Sequence, residues 1–112
     1  MRKEDCIFCK IINGDIPSNT IYENSDFKVI MDASPATKGH VLILPKEHFK
    51  DIYDIDAETA GKLFQLASVV ARALKEALHC DGLNILQNNG SIAGQTVFHF
   101  HMHLIPRYEG DT

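Results

Sequence analysis

The sequence predicts an α+β fold in which a mainly antiparallel sheet packs against one long helix and a short N-terminal helix. Short apolar or alternating stretches that are bounded by Gly, Pro, Asn and Asp are typical of strands. Five such stretches occur, at residues 20–23, 27–31, 41–44, 83–87 and 98–107. A single long stretch with helical periodicity separates the third from the fourth. Strands interrupted by only one long helix favour an antiparallel arrangement.

The long helix is predicted at residues 56–79. Asp56 is a suitable N-cap, Glu58 places negative charge in the first turn, and Gly82 follows the far end. Apolar side chains recur every three and four residues and predict a core-facing stripe of Leu63, Ala67, Val70, Leu74 and Leu78. The shorter helix is predicted at residues 5–12, where Asn13 and Gly14 end it.

Length, composition and charge restrict the class of protein. The chain has 112 residues, 45% of them hydrophobic, and no repeat or linker, so we expect one domain over residues 1–112. A net charge of −4 does not favour non-specific binding to nucleic acid or to an anionic membrane surface. Charged or polar residues interrupt every apolar stretch before it reaches membrane-spanning length. We therefore expect a cytoplasmic protein whose partners are neither nucleic acids nor membranes.

Three histidines alternate with apolar residues near the C-terminus. On a strand, His99, His101 and His103 would share one face, while the set Phe98, Phe100, Met102 and Leu104 would face the core. A neutral imidazole is nucleophilic near pH 7 and can attack phosphorus to form an intermediate that water opens. A neighbouring imidazole can donate hydrogen bonds to the phosphoryl oxygens. The trio therefore predicts phosphorus chemistry, and the alternatives are a polar sheet face or a set of metal ligands.

The loop that precedes the trio has features of an anion site. Gly90 and Gly94 allow backbone amides to approach an anion closely, and Gln95 and Thr96 add side-chain donors. An ordinary turn would use the same residues. This loop supports the prediction from the histidines without deciding it.

The segment HFHMHLIP, preceded by NNGSIAGQTVF, resembles the histidine-triad family of nucleotide hydrolases and transferases. The resemblance extends upstream through CIFCKIINGDIPS, residues 27–32 and GHVLILPKEH, and so covers nearly the whole chain. It implies an α+β homodimer of the bacterial Hint-like branch with one site in each subunit. It also implies that His101 becomes nucleotidylated and that His103 contacts the α-phosphate, with His40 and His99 completing the cluster.

The resemblance assigns binding roles to further residues. Asp32 would bind the ribose hydroxyls, which suits a carboxylate, although an aspartate before Ala33 also suits a turn cap. The purine pocket would consist of Phe8, Ile11 and Ile30. Without the resemblance, these apolar residues would be interpreted as part of the hydrophobic core. The phosphates and the leaving group would be held by Asn88, Gly94, Gln95 and Thr96. His40 by itself would be an ordinary histidine at the end of a strand.

Two positions depart from the pattern of the phosphoramidase branch. That branch usually has serine at the position of Thr96 and an aromatic residue at the position of Ile30. The segments AGQTV and LIPR look closer to enzymes that act on dinucleoside polyphosphates, whereas the N-terminal third resembles the phosphoramidase branch. The leaving group therefore stays open between an amine, a phosphate and a second nucleotide.

Cys6 and Cys9 have the two-residue spacing at which both sulfurs reach one zinc ion. Four ligands are needed for a closed site, and some bacterial histidine-triad proteins that this chain resembles complete such a site with histidines at the positions of His48 and His99. This resemblance implies a structural zinc. Two free thiols or a redox pair are the alternatives, although no βαβ unit follows the pair.

The residues and the resemblance together predict an enzyme that cleaves a purine nucleoside 5′-phosphoryl compound at the α-phosphorus. A nucleotidyl-His101 intermediate would release a nucleoside monophosphate such as AMP or GMP, and no metal would act at the reaction centre. One rival is a nucleotide-binding module without catalysis. Another is a metal-dependent hydrolase with His99, His101 and His103 on the metal.

Overall fold

The computed structural model describes residues 5–111, and its centre is one five-stranded sheet. The strands follow the order β1-β2-β3-β5-β4, and every neighbouring pair is antiparallel. The strands are β1 (Thr20–Glu23), β2 (Phe27–Met31), β3 (Val41–Pro45), β4 (Gly82–Leu86) and β5 (Met102–Arg107). The predicted α+β class with a mainly antiparallel sheet is therefore confirmed.

In the described part of the chain, two α-helices accompany the sheet, α1 (Ile7–Asn13) and α2 (Ala57–Leu78), and residues Ser91–Ala93 form a 3₁₀ turn. The predicted caps of α2 hold at its start, where the Asp56 side chain accepts a hydrogen bond from the Thr59 amide at 3.0 Å. At its end, His79 takes the left-handed conformation with φ of 53°. Gly82 lies beyond that end, as expected, and is the first residue of β4. No helix within residues 5–111 is long and apolar enough to cross a membrane.

The sheet lies between the two helices, so each of its faces is covered by a different one. One face packs with Leu63 and Ala67 of α2, and the opposite face packs with residues of α1. Strand β3 is buried along its whole length because it contributes to both layers. On the α1 face, Ile30, Leu42 and His103 are direct cross-strand neighbours. This row forms the floor on which the site is built.

The prediction of a strand from residue 98 is wrong for residues 98–101, because β5 begins at Met102. The register of β3 with β5, continued by two residues beyond the Ile43–Met102 pair, would place Pro45 opposite Phe100. Proline has no backbone N–H to donate, and the Phe100 amide donates instead to the Phe49 carbonyl at 2.6 Å. Phe98 is also 40% exposed, so its predicted place in the core is wrong.

Candidate active site

A cleft of about 470 Å³ opens between α1 and the α1 face of the sheet. Its apolar side includes Phe8, Ile11, Ile30 and Leu42, and its polar side includes Asp32, Thr96, His101 and His103. A volume of this size, with a largely apolar lining and a few polar groups, is typical of small-ligand sites. The cleft thus brings together the three predicted base-pocket residues, the predicted ribose ligand and two histidines of the trio.

The ring of His101 has a defined orientation. Its Nδ1 atom lies 2.7 Å from the main-chain carbonyl oxygen of His99. Because a carbonyl can only accept, Nδ1 carries the proton and Nε2 keeps its lone pair. Burial lowers the pKa of His101, against a smaller opposing effect of the hydrogen bond to His99. His101 therefore lines the cleft as a neutral imidazole with a nucleophilic Nε2.

A hydrogen-bonded chain orients the ring of His103. The Ala36 amide donates to Nδ1 of His40 at 3.0 Å, so the proton of neutral His40 lies on Nε2. That Nε2 is 2.9 Å from Nδ1 of His103 and 3.3 Å from Oδ2 of Asp32. His103 accepts at Nδ1 and carries its own proton on Nε2. Burial and the neighbouring imidazoles of His101 and His40 lower the pKa of His103 to about 4, so it is a neutral donor at pH 7.

Asp32 takes part in two local arrangements at once. Its Oδ1 accepts from the Ser34 amide at 2.8 Å, which is the turn cap that the sequence allowed. Its Oδ2 lies beside His40, and the residue lines the cleft. A carboxylate has enough lone pairs to cap the turn and still accept from a ligand.

The ring of His99 lies in a separate group of side chains, the Cys/His cluster of Cys6, Cys9, His48 and His99. Nδ1 of His99 is 3.4 Å from Sγ of Cys6, 3.5 Å from Sγ of Cys9 and 3.2 Å from Nδ1 of His48. Nε2 of His99 donates to the Pro45 carbonyl at 2.8 Å, which leaves the Nδ1 lone pair directed into the cluster. His99 itself is fully buried.

The Cys/His cluster has the donor set and the spacing of a tetrahedral zinc site. At the tetrahedral angle, zinc–nitrogen distances of about 2.0–2.1 Å and zinc–sulfur distances of about 2.3 Å separate two nitrogens by roughly 3.3–3.4 Å, a nitrogen from a sulfur by roughly 3.5–3.6 Å and two sulfurs by roughly 3.8 Å. The His99 separations, and the 3.3 Å between Sγ of Cys9 and Nδ1 of His48, lie within about 0.2 Å of the tetrahedral distance for each kind of pair. The four residues therefore fit a zinc ion.

A second group of possible ligands, Asp32, His40 and His103, does not fit a metal in the same way. Nε2 of His40 carries a proton because its Nδ1 accepts from the Ala36 amide, so no lone pair faces the other two residues. His99 and His103 thus belong to different groups. This separation does not support a single metal ion held by the whole trio.

The loop before the trio is shaped largely by its own side chains. The Gln95 side chain is 3% exposed and binds backbone groups only: its Oε1 accepts from the Gly90 amide, and its Nε2 donates to the Lys50 and Val97 carbonyls. Asn88 donates to the Gly94 carbonyl at 3.4 Å, and Gly94 has the left-handed φ of 96° that glycine permits. Of the four residues predicted to hold phosphates, Thr96 alone is among the residues that line the cleft.

The sequence profile of the HIT domain matches residues 13–110. The chain belongs to the HIT domain family. Protein hit of Bacillus subtilis is 50% identical over 109 residues, which are 96% of this chain and 75% of that protein. Adenylylsulfatase HINT3 of Arabidopsis thaliana is 38% identical over 109 residues, 97% of this chain and 55% of the plant protein.

Solved structures of the HIT family agree with the fold. A crystal structure of a zinc-bound histidine triad family protein from Mycobacterium smegmatis has a TM-score of 0.92 and 45% sequence identity to this chain. The match covers 96% of this chain and 78% of that one. The HIT fold predicted from the histidine motif is therefore confirmed.

Three groups that organise this HIT site are main-chain atoms, and sequence reasoning missed them. They are the Ala36 amide, the Pro45 carbonyl and the His99 carbonyl, which orient His40, His99 and His101 respectively. Backbone groups carry no residue-type signal. Leu42 was also missed as a cleft residue, although its place two residues after His40 on a buried strand could have indicated it.

Proposed function

We propose that this HIT protein cleaves a purine nucleoside 5′-phosphoryl compound at the α-phosphorus through a nucleotidyl-His101 intermediate. One observation carries the proposal. The hydrogen bond from Nδ1 of His101 to the His99 carbonyl leaves the lone pair on Nε2, in a cleft of the size that a nucleotide needs. The relative named adenylylsulfatase supports a nucleotide hydrolase.

The cleft supplies suitable contacts for the nucleoside. Phe8, Ile11 and Ile30 provide an apolar wall for the base, and Oδ2 of Asp32 can accept from the ribose hydroxyls. These contacts would direct the 5′-phosphoryl group towards His101 and His103. The proposal covers both adenine and guanine as the base, so the product would be AMP or GMP.

The reaction would proceed in two displacements. Nε2 of His101 forms a bond to the α-phosphorus while the bond to the leaving group breaks, and the electron pair of that bond departs with the leaving group. An amine leaving group takes up a proton from solvent, whereas a phosphate or a nucleotide departs as the anion. The Nε2–H group of His103 donates to a non-bridging oxygen as negative charge redistributes. Water then displaces the imidazole, loses a proton to solvent, and yields the nucleoside monophosphate with His101 regenerated.

Trapping the intermediate tests this mechanism. Wild-type protein quenched during turnover should show, by mass spectrometry, one nucleotidyl group on the peptide that contains His101. The His101→Ala variant should lose turnover by about 10³-fold or more and still bind AMP, because most binding contacts remain. Full activity of that variant refutes the mechanism. Nucleotide binding without any adduct in the wild type would support the rival regulatory module.

A direct comparison of two substrates can identify the preferred leaving group. Thr96 and the AGQTV segment favour a phosphoanhydride, and the N-terminal third favours a phosphoramidate. We propose that both are cleaved, with a phosphoramidase activity that is measurable against adenosine phosphoramidate. Values of kcat/KM for that compound and for a diadenosine polyphosphate decide the preference. Absence of either activity contradicts this part of the proposal.

We also propose that the Cys/His cluster binds a structural zinc ion. The spacing of its ligand atoms and the zinc-bound relative from Mycobacterium smegmatis support this proposal. The ion would link α1, through Cys6 and Cys9, to His99, whose ring donates to the carbonyl of Pro45 at the end of β3. It would take no part in the reaction. Wild-type protein purified without chelators should contain one zinc per chain, and Cys9→Ser should contain much less. If the wild-type protein contains no zinc, the remaining interpretations are that Cys6 and Cys9 are free thiols or a redox pair.

Three expectations about the whole protein remain proposals: a single histidine-triad domain over residues 1–112, a cytoplasmic location and a homodimer. The homodimer is supported by β4, which forms one edge of the sheet and leaves Ile85 and Leu86 more than 40% exposed. Light scattering during size-exclusion chromatography measures the mass, and a monomer at micromolar concentration would contradict the dimer.

A further inference from the structure

Helix α1 contributes to both the Cys/His cluster and the cleft. Cys6 is its N-cap and Cys9 lies in its first turn, so the helix carries two of the four cluster residues. Phe8 and Ile11 of the same helix line the cleft. The ring centroid of Phe8 lies 5.0 Å from that of His101. A helix of seven residues is too short to be stable in isolation, so the position of α1 depends on its attachments.

His99 connects the cluster to the cleft by a second route. Its ring lies in the cluster, and its main-chain carbonyl accepts the hydrogen bond that fixes the orientation of His101. The two groups belong to one residue, whose ring is also held by the Pro45 carbonyl. A displacement of His99 that includes its main chain would therefore move the acceptor on which the His101 tautomer depends.

We infer that the Cys/His cluster is a positioning site for the cleft, where bound metal and bound nucleotide each raise the affinity for the other. This inference rests on the nucleotide binding proposed above. A bound ion would hold the ligand atoms around His99 and Cys9 at the observed separations of 3.2–3.5 Å. Without the ion, thiols are weak hydrogen-bond partners and cannot hold that spacing as firmly. The cluster then relaxes, and α1 and His99 relax with it.

The coupling must act equally in both directions, because binding free energies are linked. Couplings between two sites commonly change affinity by roughly 5–150-fold. A second cleft of about 330 Å³ borders the cluster and is lined by Cys6, His48, Thr96 and Phe98, among others. Thr96 lines both clefts, so this approach to the cluster lies next to the proposed nucleotide site.

Two binding measurements on the full chain test the inference. Titration calorimetry should show that AMP binds at least about fivefold more weakly to chelator-stripped protein than to zinc-loaded protein. A chromophoric chelator should show that saturating AMP raises the affinity for zinc by the same factor. Equal AMP affinities in the two forms, both folded by circular dichroism, overturn the inference. If the stripped form unfolds, an unchanged zinc affinity at saturating AMP overturns it.

Two further readouts separate positioning from general stabilisation. Ribose 5-phosphate lacks the base that α1 would contact, so its coupling to zinc should be smaller than that of AMP, and equal coupling contradicts the route through α1. Nitrogen-15 NMR at one fixed pH should show His101 protonated at Nδ1 in the loaded form and a mixture of tautomers in the stripped form. One unchanged tautomer in a folded, stripped protein contradicts the route through His99.

The failures of the two ideas are distinguishable. If AMP does not bind the zinc-loaded protein, nucleotide binding in the cleft is wrong. If AMP binds equally well with and without zinc, the proposed function stands and only the coupling is wrong.

Discussion

Gln95 offers the sharpest test of how the loop before the histidines works. Family resemblance assigns this residue to phosphate binding, whereas its buried amide holds the loop through three hydrogen bonds. The acceptor is paired with the Gly90 amide at 2.7 Å, and the donor is shared between the Lys50 carbonyl at 2.8 Å and the Val97 carbonyl at 3.1 Å. We therefore expect Gln95→Met, which keeps the length of the side chain, to affect stability as well as activity.

The size of the effect follows from the bonds that are lost. Three hydrogen bonds at a net of about 1 kcal/mol each amount to about 3 kcal/mol, with a range of roughly 1.5–4.5 kcal/mol. Gln95→Glu keeps the acceptor for Gly90 but directs a carboxylate at two carbonyls, so it should be at least as destabilising. Urea denaturation, with the zinc content held constant, measures the free energy of unfolding for each variant.

Gln65 provides the matched control. It is exposed on α2, and methionine and glutamine have similar helix propensities, so Gln65→Met should change the free energy of unfolding by less than about 0.5 kcal/mol. If Gln95→Met changes the free energy of unfolding as little as this control and yet abolishes turnover, the interpretation that Gln95 holds the loop in place is wrong. Direct contact between Gln95 and the phosphates would then be the better explanation.

Three other perturbations have defined outcomes. His103 has a pKa of about 4 in the folded state, whereas histidine in the unfolded chain has a pKa of about 6.5. Between these values the unfolded state binds more protons, so the free energy of unfolding should fall as the pH is lowered from about 6.5 to about 4. His103→Asn should flatten that part of the profile, and an unchanged slope contradicts the assignment. Asp32→Asn should weaken AMP binding by roughly tenfold, the loss of one charged hydrogen bond, but should hardly affect 2′,3′-dideoxy-AMP in calorimetry; equal losses for both ligands would exclude a ribose contact. Leu63→Ala should cost about 2–5 kcal/mol in urea denaturation, because the side chain is 1% exposed in the α2 layer, and a change below 1 kcal/mol would contradict that packing.

Most of the fold could be predicted because its elements follow from local patterns. The stripe on α2, the cap at Asp56 and the short strands on either side depend on residues that are near each other in sequence. The error at residues 98–101 has a non-local cause. Strict alternation indicates a strand, but it contains no information about Pro45, which is opposite Phe100 in the extended register and cannot donate a hydrogen bond.

The candidate site divides in a similar way. Residue types and spacing indicated the histidines, Asp32 and the cysteine pair, because each carries recognisable chemistry. The separation of His99 from His101 was not predictable from the alternation, which treats the two rings as equivalent. Which nitrogen of each ring carries a proton depends on the Pro45 and His99 carbonyls, and such backbone partners become apparent only in the folded chain.

The departure from regular strand geometry also bears on the proposed chemistry. In an antiparallel strand, main-chain carbonyls lie in the plane of the sheet and side chains stand roughly perpendicular to it. A ring two residues further along could not then reach the carbonyl oxygen of His99. Residues 98–101 are not part of the β-ladder, which begins at Met102, so the His99 carbonyl can accept from the ring of His101 at 2.7 Å. The irregular segment that breaks the predicted strand is therefore a condition for the tautomer on which the proposed nucleophile depends.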